Sequence, residues 1–422
     1  MISSLKKIQL SNLIEKANTG ADAIKRAPIV EIDTGIRCLR IGDISNNRLY
    51  EEWGFTEATD DVIKKFLLKK DDVIVARTGN TIGVVKYIDR DINSVYNNGL
   101  IRLKTKKEFN AKYVYYNLIS EDFKRFIYGI SAGTSTQPNM KIDQMLQYEV
   151  TNYTREEQDR IVNILSSLDK KIELNNEMNK TLEEIAQALF KRWFVDFEFP
   201  NEDGEPYKSS GGEMVESELG MIPKECKVFE LDNCCSLIAK GITPKYTEFS
   251  EQIVINQKCI RDGKINLKLA RYHIPKKINE KWLKRGDILI NSTGQGTLGR
   301  IAQVIEEPIN LVVDSHITIV RPDSELLIYY LGCLLSTKQY LFESMASGST
   351  GQTDLPRALV KAMKIIIPSN DVLVNFTKLI KPIRDKMIML QKENIDLEEI
   401  RDSLLPKLMN GEIRVEDIEA NL

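Results

Sequence analysis

The sequence predicts an α+β fold made of two tandem copies of one unit, each a mixed globular domain followed by a long helix. The first observation is a run whose seam falls on Ile161, Leu165, Leu168, Ile172, Asn175, Asn179, Leu182, Ala186, Leu189 and Trp193. Its steps alternate between three and four residues, the seam of a coiled coil rather than the wider stripe of a helix lying on a core. The second is that the run recurs, as Phe376, Leu379, Ile383, Met387, Leu390, Asn394, Leu397, Arg401 and Leu404. The string Leu182-Glu183-Glu184-Ile185 returns as Leu397-Glu398-Glu399-Ile400, at an offset of 215 residues. The third is that landmarks outside the helices repeat too. Leu283 to Ile290 answers Leu68 to Val75, Thr293 to Gly299 answers Thr78 to Gly83, and Ser347 to Gln352 answers Ala132 to Gln137.

Even the polar break in the seam is repeated, since Asn179 falls on Asn394. A lone Asn in an apolar seam costs stability and fixes register, so one at the same point of both runs predicts that the two helices pair. Ile172, Asn179 and Leu182 on the first helix and Leu390, Asn394 and Leu397 on the second are the expected pairing positions. The plainer alternative is that each is a surface helix of its own domain.

In chain order, Ile8-Gln9-Leu10 and Cys38-Leu39-Arg40-Ile41 read as strands. Val62 to Leu68 carries an apolar pattern before the turn Lys70-Asp71-Asp72. Val73-Ile74-Val75-Ala76 is a buried-strand signature, and the polar turn Arg77 to Gly83 returns it into Val84 to Ile88. Ile101-Arg102-Leu103 is a further strand, and Tyr113 to Phe126 has helical spacing before a Gly-rich loop, Ser131 to Asn139. Pro200 to Gly220 lacks periodicity and is rich in Gly, Pro, Ser and acids, the composition of a linker or extended connector. From Leu219 the programme starts again. The repeated loops are built of Gly, Ser, Thr, Gln and Asn, whereas Asn46 to Asp61 and Asp262 to Glu280 differ freely.

A length of 422 residues allows two or three domains, and 42% apolar with 28% charged residues is ordinary for a globular protein. Apolar runs such as Ile365-Ile366-Ile367 fall far short of the roughly 20 residues that a bilayer needs. Gln9 and Asn12 interrupt the N-terminal stretch before an apolar core of a signal peptide can form, so a cytoplasmic protein is expected. Cys38, Cys226, Cys234, Cys235, Cys259 and Cys333 include no C-x-x-C pair, and only two His residues exist to complete a zinc site. They read as buried or incidental thiols. The net charge of −2 hides a division: residues 1–150 carry 23 Lys+Arg against 19 Asp+Glu, and residues 221–368 carry 20 against 15. Basic globular parts joined by acidic rods fit domains that meet phosphate and helices that meet protein.

Catalytic constellations are wanting. Gly294-Gln295-Gly296-Thr297-Leu298-Gly299 matches a dinucleotide fingerprint, yet Ile301 to Ile305 after it reads as a strand where a helix N-terminus is required. His273 and His316 pair with no Ser or Cys nucleophile, and read as structural or solvated. No Asp/Asn-Pro-Pro-aromatic tetrapeptide occurs, so a base-methylating site is not visible.

The repeated domain-plus-helix plan, the helix end Gln187 to Phe197, the connector Glu218-Leu219-Gly220-Met221-Ile222-Pro223-Lys224 and the closing Leu404 to Val415 resemble the specificity subunits of type I restriction-modification enzymes. Cys226 departs from the family, which commonly has Trp shortly after the Ile-Pro. The resemblance implies two target-recognition domains, 1–154 and 221–368, each reading one part of a split site on double-stranded DNA. It implies long helices over 155–199 and 369–410, packed antiparallel, with a connector over 200–220 and a tail over 411–422. It also implies two modification (methyltransferase) subunits docked on the helices, and restriction (translocase and nuclease) subunits beside them. S-adenosylmethionine, ATP and Mg would then reside on those partners, none on this non-catalytic chain, and no membrane is involved. Independently, about 40 helical residues at 1.5 Å span roughly 60 Å, enough to carry two domains to successive major-groove segments about 34 to 36 Å apart.

Within the domains the expected DNA-binding residues are Arg77, Asn80 and Lys86 in the first copy and Asn291, Gln295 and Arg300 in the second, at or beside the Gly-bearing turn. Arg can bridge guanine O6 and N7, and Asn or Gln can bridge adenine N6 and N7. Lys and hydroxyl groups more often hold phosphate. Ser135, Thr136, Gln137, Ser349, Thr350 and Gln352 are further expected contacts, with the alternative that these polar loops only shape the chain. The rival from another class is a scaffold whose basic ends and acidic rods meet proteins alone.

Overall fold

The computed structural model describes residues 6–22, 24–131, 139–275, 277–278, 280–346 and 353–419. Contacts divide the chain into two compact units, Met1–Glu173 with Asn394–Leu422, and Leu174–Glu393. Each unit therefore owns one half of each long helix, Arg155–Phe194 and Asn370–Asn410.

In the first unit, β1 (Ile14–Thr19), β2 (Arg37–Leu39), β3 (Asp72–Ala76), β4 (Val85–Tyr87), β5 (Ser94–Tyr96) and β6 (Leu100–Thr105) form two sheets. An antiparallel sheet runs β1-β6-β3-β4, and β2 pairs in parallel with β5 in the other. In the second unit, β7 (Cys235–Lys240), β8 (Gln252–Ile255), β9 (Ile288–Asn291), β10 (Ile301–Gln303), β11 (Leu311–Val313) and β12 (Ile317–Pro322) repeat the plan strand for strand. The order is β7-β12-β9-β10, with β8 parallel to β11. Both first strands even carry a register shift at the same place, Ile14/Lys16 and Cys235/Leu237. The repeat read from the landmarks is thus present down to a bulge, a feature that a shared fold keeps and chance does not supply.

Residues with side chains on both sheet faces explain the apolar runs: Val73, Val75, Ile101 and Leu103 pack under the helices, while Ile74 and Leu100 enter the core of the other layer. Directly after β1 and β7 the chain crosses a neighbouring backbone at Gly20 and Gly241. A Cβ there would lie 2.1 Å from the Tyr96 carbonyl oxygen and 2.2 Å from that of Val313, distances no side chain can occupy. Glycine at both crossings is a packing requirement.

A buried ion pair also repeats. Arg321 donates to both oxygens of the fully buried Asp287 at 2.7 Å, and to the carbonyls of Glu280 at 2.9 Å and Trp282 at 2.6 Å. In the first unit Arg102 lies 3.7 Å from Asp72 and donates to the carbonyls of Lys65 and Leu67. Burial holds the Asp72 carboxyl above the usual carboxylate range, against the pull of the Lys69 amide and Arg102. Asp72, read from sequence as part of a turn, is therefore the buried first residue of β3.

The long helices pair within each unit. In the first, Asp169 accepts from Arg401 at 3.1 Å and from the Tyr116 hydroxyl at 2.6 Å, and the Tyr153 hydroxyl donates to the Leu408 carbonyl at 2.9 Å. In the second, Arg384 pairs with Glu183, and the Asn175 amide donates to Glu393 at 2.9 Å. The N-terminal half of one helix thus meets the C-terminal half of the other, which is the antiparallel arrangement. Asn175, Asn179 and Asn394 are buried as the seam requires, with Leu390, while Ile172, Leu182 and Leu397 are half-buried.

Two expectations are corrected. Leu379 is 48% exposed and Ile380 takes its place in the seam, because the helix enters a globular core there and steps by four from Phe376. The helical stretch from Tyr113 is two helices, Ala111–Ile119 and Glu121–Ser131. Ser120 separates them, its hydroxyl accepting from the Phe123 amide. Within the expected connector, Met214–Ser217 and Gly220–Pro223 form a hairpin, and Phe199 stacks on Tyr207 at 4.8 Å against the second core.

Candidate functional site

The repeated turn is where polar groups gather. After β3 the chain leaves through Arg77 and Thr78, reverses with positive φ at Gly79 and Gly83, and the Gly83 amide donates back to the Ala76 carbonyl at 2.8 Å. After β9 the same turn uses Gly294, Gly296 and Gly299, with the Gly299 amide donating to the Asn291 carbonyl at 2.8 Å. Thr78 bridges to Asn139, and Thr293 to Asp354. The Met140 amide donates to the Arg77 carbonyl, and that of Leu355 to the Ser292 carbonyl. Each turn is therefore stitched to the chain that follows the Gly-rich loop.

These constraints sort the expected residues. Asn80 and Gln295 stand at the two tips, both exposed. Arg77 is half-buried and directs two donors at the Asn139 side-chain oxygen, at 3.2 and 2.9 Å. Arg300 donates to the Gly296 carbonyl at 2.7 Å and reaches the Ile260 carbonyl at 3.5 Å, bracing its own turn. Asn291 is a correction: it is fully buried, its amide donating to the carbonyls of Gln257 and Thr297 at 3.1 Å each. Such a side chain holds the turn. Lys86 is half-buried on β4 opposite Ile74, with its ammonium 5.7 Å from the centre of the Trp53 ring. Burial pushes its pKa down, with Asp89 and Asp43 opposing. Ser135, Thr136, Gln137, Ser349, Thr350 and Gln352 lie outside the described residues.

Sequence reading missed the neighbours of the second turn. The Gln257 amide donates to the Thr293 hydroxyl at 2.8 Å, His316 Nδ1 lies 2.9 Å from that hydroxyl, and Lys240 donates to both oxygens of Asp354 at 2.7 and 2.8 Å. It also missed an aromatic and basic patch: the Arg271 guanidinium lies 3.5 Å from the centre of the Tyr246 ring, and the 82% exposed Phe249 stands 5.7 Å from Tyr272. Lys245-Tyr246 and Arg271-Tyr272 carry that signal locally. Their proximity depends on the pairing of the Thr247 amide with the Tyr272 carbonyl, which spacing does not reveal.

The strand after Gly299 is present as β10, so the fingerprint lacks its helix. His273 is buried and accepts from the Lys245 amide at 3.1 Å, a structural role. Burial pushes the Cys38 thiol up to about 11, and five of the six cysteines are buried, in keeping with inert thiols. Among the described residues no group of His, Cys, Asp and Glu could hold a metal, and no helix is long and apolar enough to cross a membrane.

The duplicated scaffold with an exposed amide at the tip of each turn defines a two-unit protein that presents the same edge twice. Residues 6–184 match the family described as type I restriction modification DNA specificity domain. The chain is 28% identical over 397 residues to the type I restriction enzyme MjaIX specificity subunit of Methanocaldococcus jannaschii, covering 89% of this chain and 86% of that protein. It is 27% identical to the HindI specificity subunit of Haemophilus influenzae, covering 89% and 94%. The S subunit from M. genitalium shares the fold, with a TM-score of 0.59 at 18% identity over 97% of both chains. Over 89% of its length the chain is thus similar to type I restriction enzyme specificity subunits, as its repeated strings suggest.

Proposed function

We propose that this protein is the sequence-reading subunit of a type I restriction-modification complex and recognises a split, asymmetric site on double-stranded DNA, one part per unit. The observation that supports this best is the pair of exposed amides, Asn80 and Gln295, at equivalent tips of two units with one topology, the first inside the matched DNA specificity domain. An exposed carboxamide can donate and accept at once, the pattern that bridges an adenine edge in the major groove. Arg77 and Arg300 brace the turns, and the Lys86 ammonium lies by the Trp53 ring. Ser135, Thr136, Gln137, Ser349, Thr350 and Gln352 stay in the proposed DNA-binding set on sequence grounds alone. Because Asn46 to Asp61 and Asp262 to Glu280 are unlike, the two parts of the site differ.

In this reading the paired helices dock two modification subunits, and restriction subunits join them, in the cytoplasm. S-adenosylmethionine, ATP and Mg serve those partners; this chain makes and breaks no covalent bond. Sequencing methylated sites in cells with and without the gene tests the proposal. The expected result is one split motif that loses its methylation when the gene is absent; an unchanged methylation pattern rejects the reading.

A further inference from the structure

The two units share a topology and nearly the same net charge, +4 over residues 1–150 and +5 over residues 221–368, but place that charge differently. Residues 256–282, between β8 and Leu283, hold eight Lys and Arg against two Asp and Glu, a net of +6. The equivalent residues 40–67, between β2 and Leu68, hold four against six, a net of −2. The equivalence is structural. Each segment follows the strand that pairs in parallel with its neighbour. Each has its last residue held through its carbonyl by the buried Arg, Leu67 by Arg102 and Trp282 by Arg321. Each is then followed by a leucine amide bonded to the partner strand, Leu68 to Ser94 and Leu283 to Leu311.

The surroundings of these charges differ as well. In the second unit Lys258, Arg261, Lys264 and Arg271 are exposed, Arg261 3.5 Å from the adjacent Asp262 carboxylate and Arg271 over the Tyr246 ring, and the rings of Phe249 and Tyr272 are exposed too. The hairpin of Ile260–Arg261 and Lys264–Ile265 adjoins the turn, since Arg300 reaches the Ile260 carbonyl and Gln257 holds Thr293. In the first unit the arginines are committed to the protein, Arg40 to the Ala27 carbonyl and Arg48 to Asp43 at 3.2 Å. Glu51, Glu52, Asp60 and Asp61 are exposed there.

We infer that the second unit supplies most of the electrostatic grip on the duplex, while the first contributes chiefly base discrimination. The inference rests on the DNA-reading proposal above and divides its labour. Phosphate neutralisation releases counterions, and each released contact steepens the salt dependence of binding by about 0.9 in log–log slope. A layer at +6 collects such contacts; a layer at −2 repels them unless its few cations are placed one by one.

The test compares two variants of this chain, each assembled with the modification subunits, for duplex affinity over a range of salt. One carries Lys258→Gln, Arg261→Gln, Lys264→Gln and Arg271→Gln; the other carries Lys25→Gln, Arg26→Gln, Lys64→Gln and Lys65→Gln, all exposed in the first unit. The first set is expected to flatten the slope by about 3 to 4 and weaken binding roughly tenfold or more at low salt, and the second to change the slope by less than about 1. Equal changes, a larger change from the first-unit set, or no change from either overturns the division. If the unsubstituted complex binds no duplex, the DNA-reading proposal itself falls, a result distinct from binding whose slope the second-unit set leaves alone.

Discussion

Asp287→Ala destabilises the second unit by about 3 to 5 kcal/mol, the cost of leaving a buried charge without its partner. Asp287 is fully buried, and its carboxylate accepts two bonds from Arg321 and one from the Lys284 amide at 2.8 Å. Truncation strands a guanidinium that cannot reach water without leaving the sheet. The loss spreads, because the same guanidinium pins the carbonyls of Glu280 and Trp282 and so fixes the end of the basic segment. Replacing both partners together, Asp287→Leu with Arg321→Met, removes the charge as well as the bonds and is expected to cost much less. Thermal unfolding of the three proteins measures the difference. A single substitution as mild as the double one would show that the pair is not sealed from solvent.

Phe376→Ala is the second large effect, about 3 to 5 kcal/mol for a large aromatic removed from a packed core. Its ring is fully buried at the start of the second long helix and meets Phe194 edge-on at 4.8 Å, with Trp193 at 5.8 Å and Phe190 at 6.3 Å. These rings fasten the end of the first helix to the beginning of the second, so the cavity loosens the pairing as well as the core. Denaturant unfolding followed by Trp fluorescence reads the change directly, with Trp193 at the wall of the cavity. The equivalent contact in the first unit is aliphatic, Ile161 with Leu405, Leu408 and Met409. Ile161→Ala is therefore expected to fall lower, within the 2 to 5 kcal/mol of aliphatic truncations.

Much of the scaffold was legible because duplication writes each signal twice. An apolar quartet such as Val73 to Ala76 is ambiguous alone; its return at Ile288 to Asn291, each before a Gly-bearing turn, identifies a strand and its exit. The seam was legible because the helices must face each other at regular steps, and it failed at Leu379, where the facing surface becomes a core. The site was less legible. Asn80, Gln295 and Asn291 look alike as polar residues of a polar turn. Only the fold shows that Asn291 ends a strand with its amide turned inward, while the other two sit on the tips. Buried Asp72 resembled a turn residue, because the arginine that pairs with it lies 30 residues further along; Asp287 stands 34 residues before its own. The basic layer escaped notice for a similar reason, since its cations are spread through 256–282 and no dense run announces them.

The most direct test of the central claim, two unlike readers made from one repeated unit, is the methylated-site profile of cells carrying Asn80→Ala or Gln295→Ala in place of the natural chain. Each substitution is expected to relax the sequence requirement in one part of the split motif and leave the other part intact, at a cost of about 1 to 3 kcal/mol in discrimination at the base concerned. A single uninterrupted motif, or one substitution that alters both parts, would contradict it.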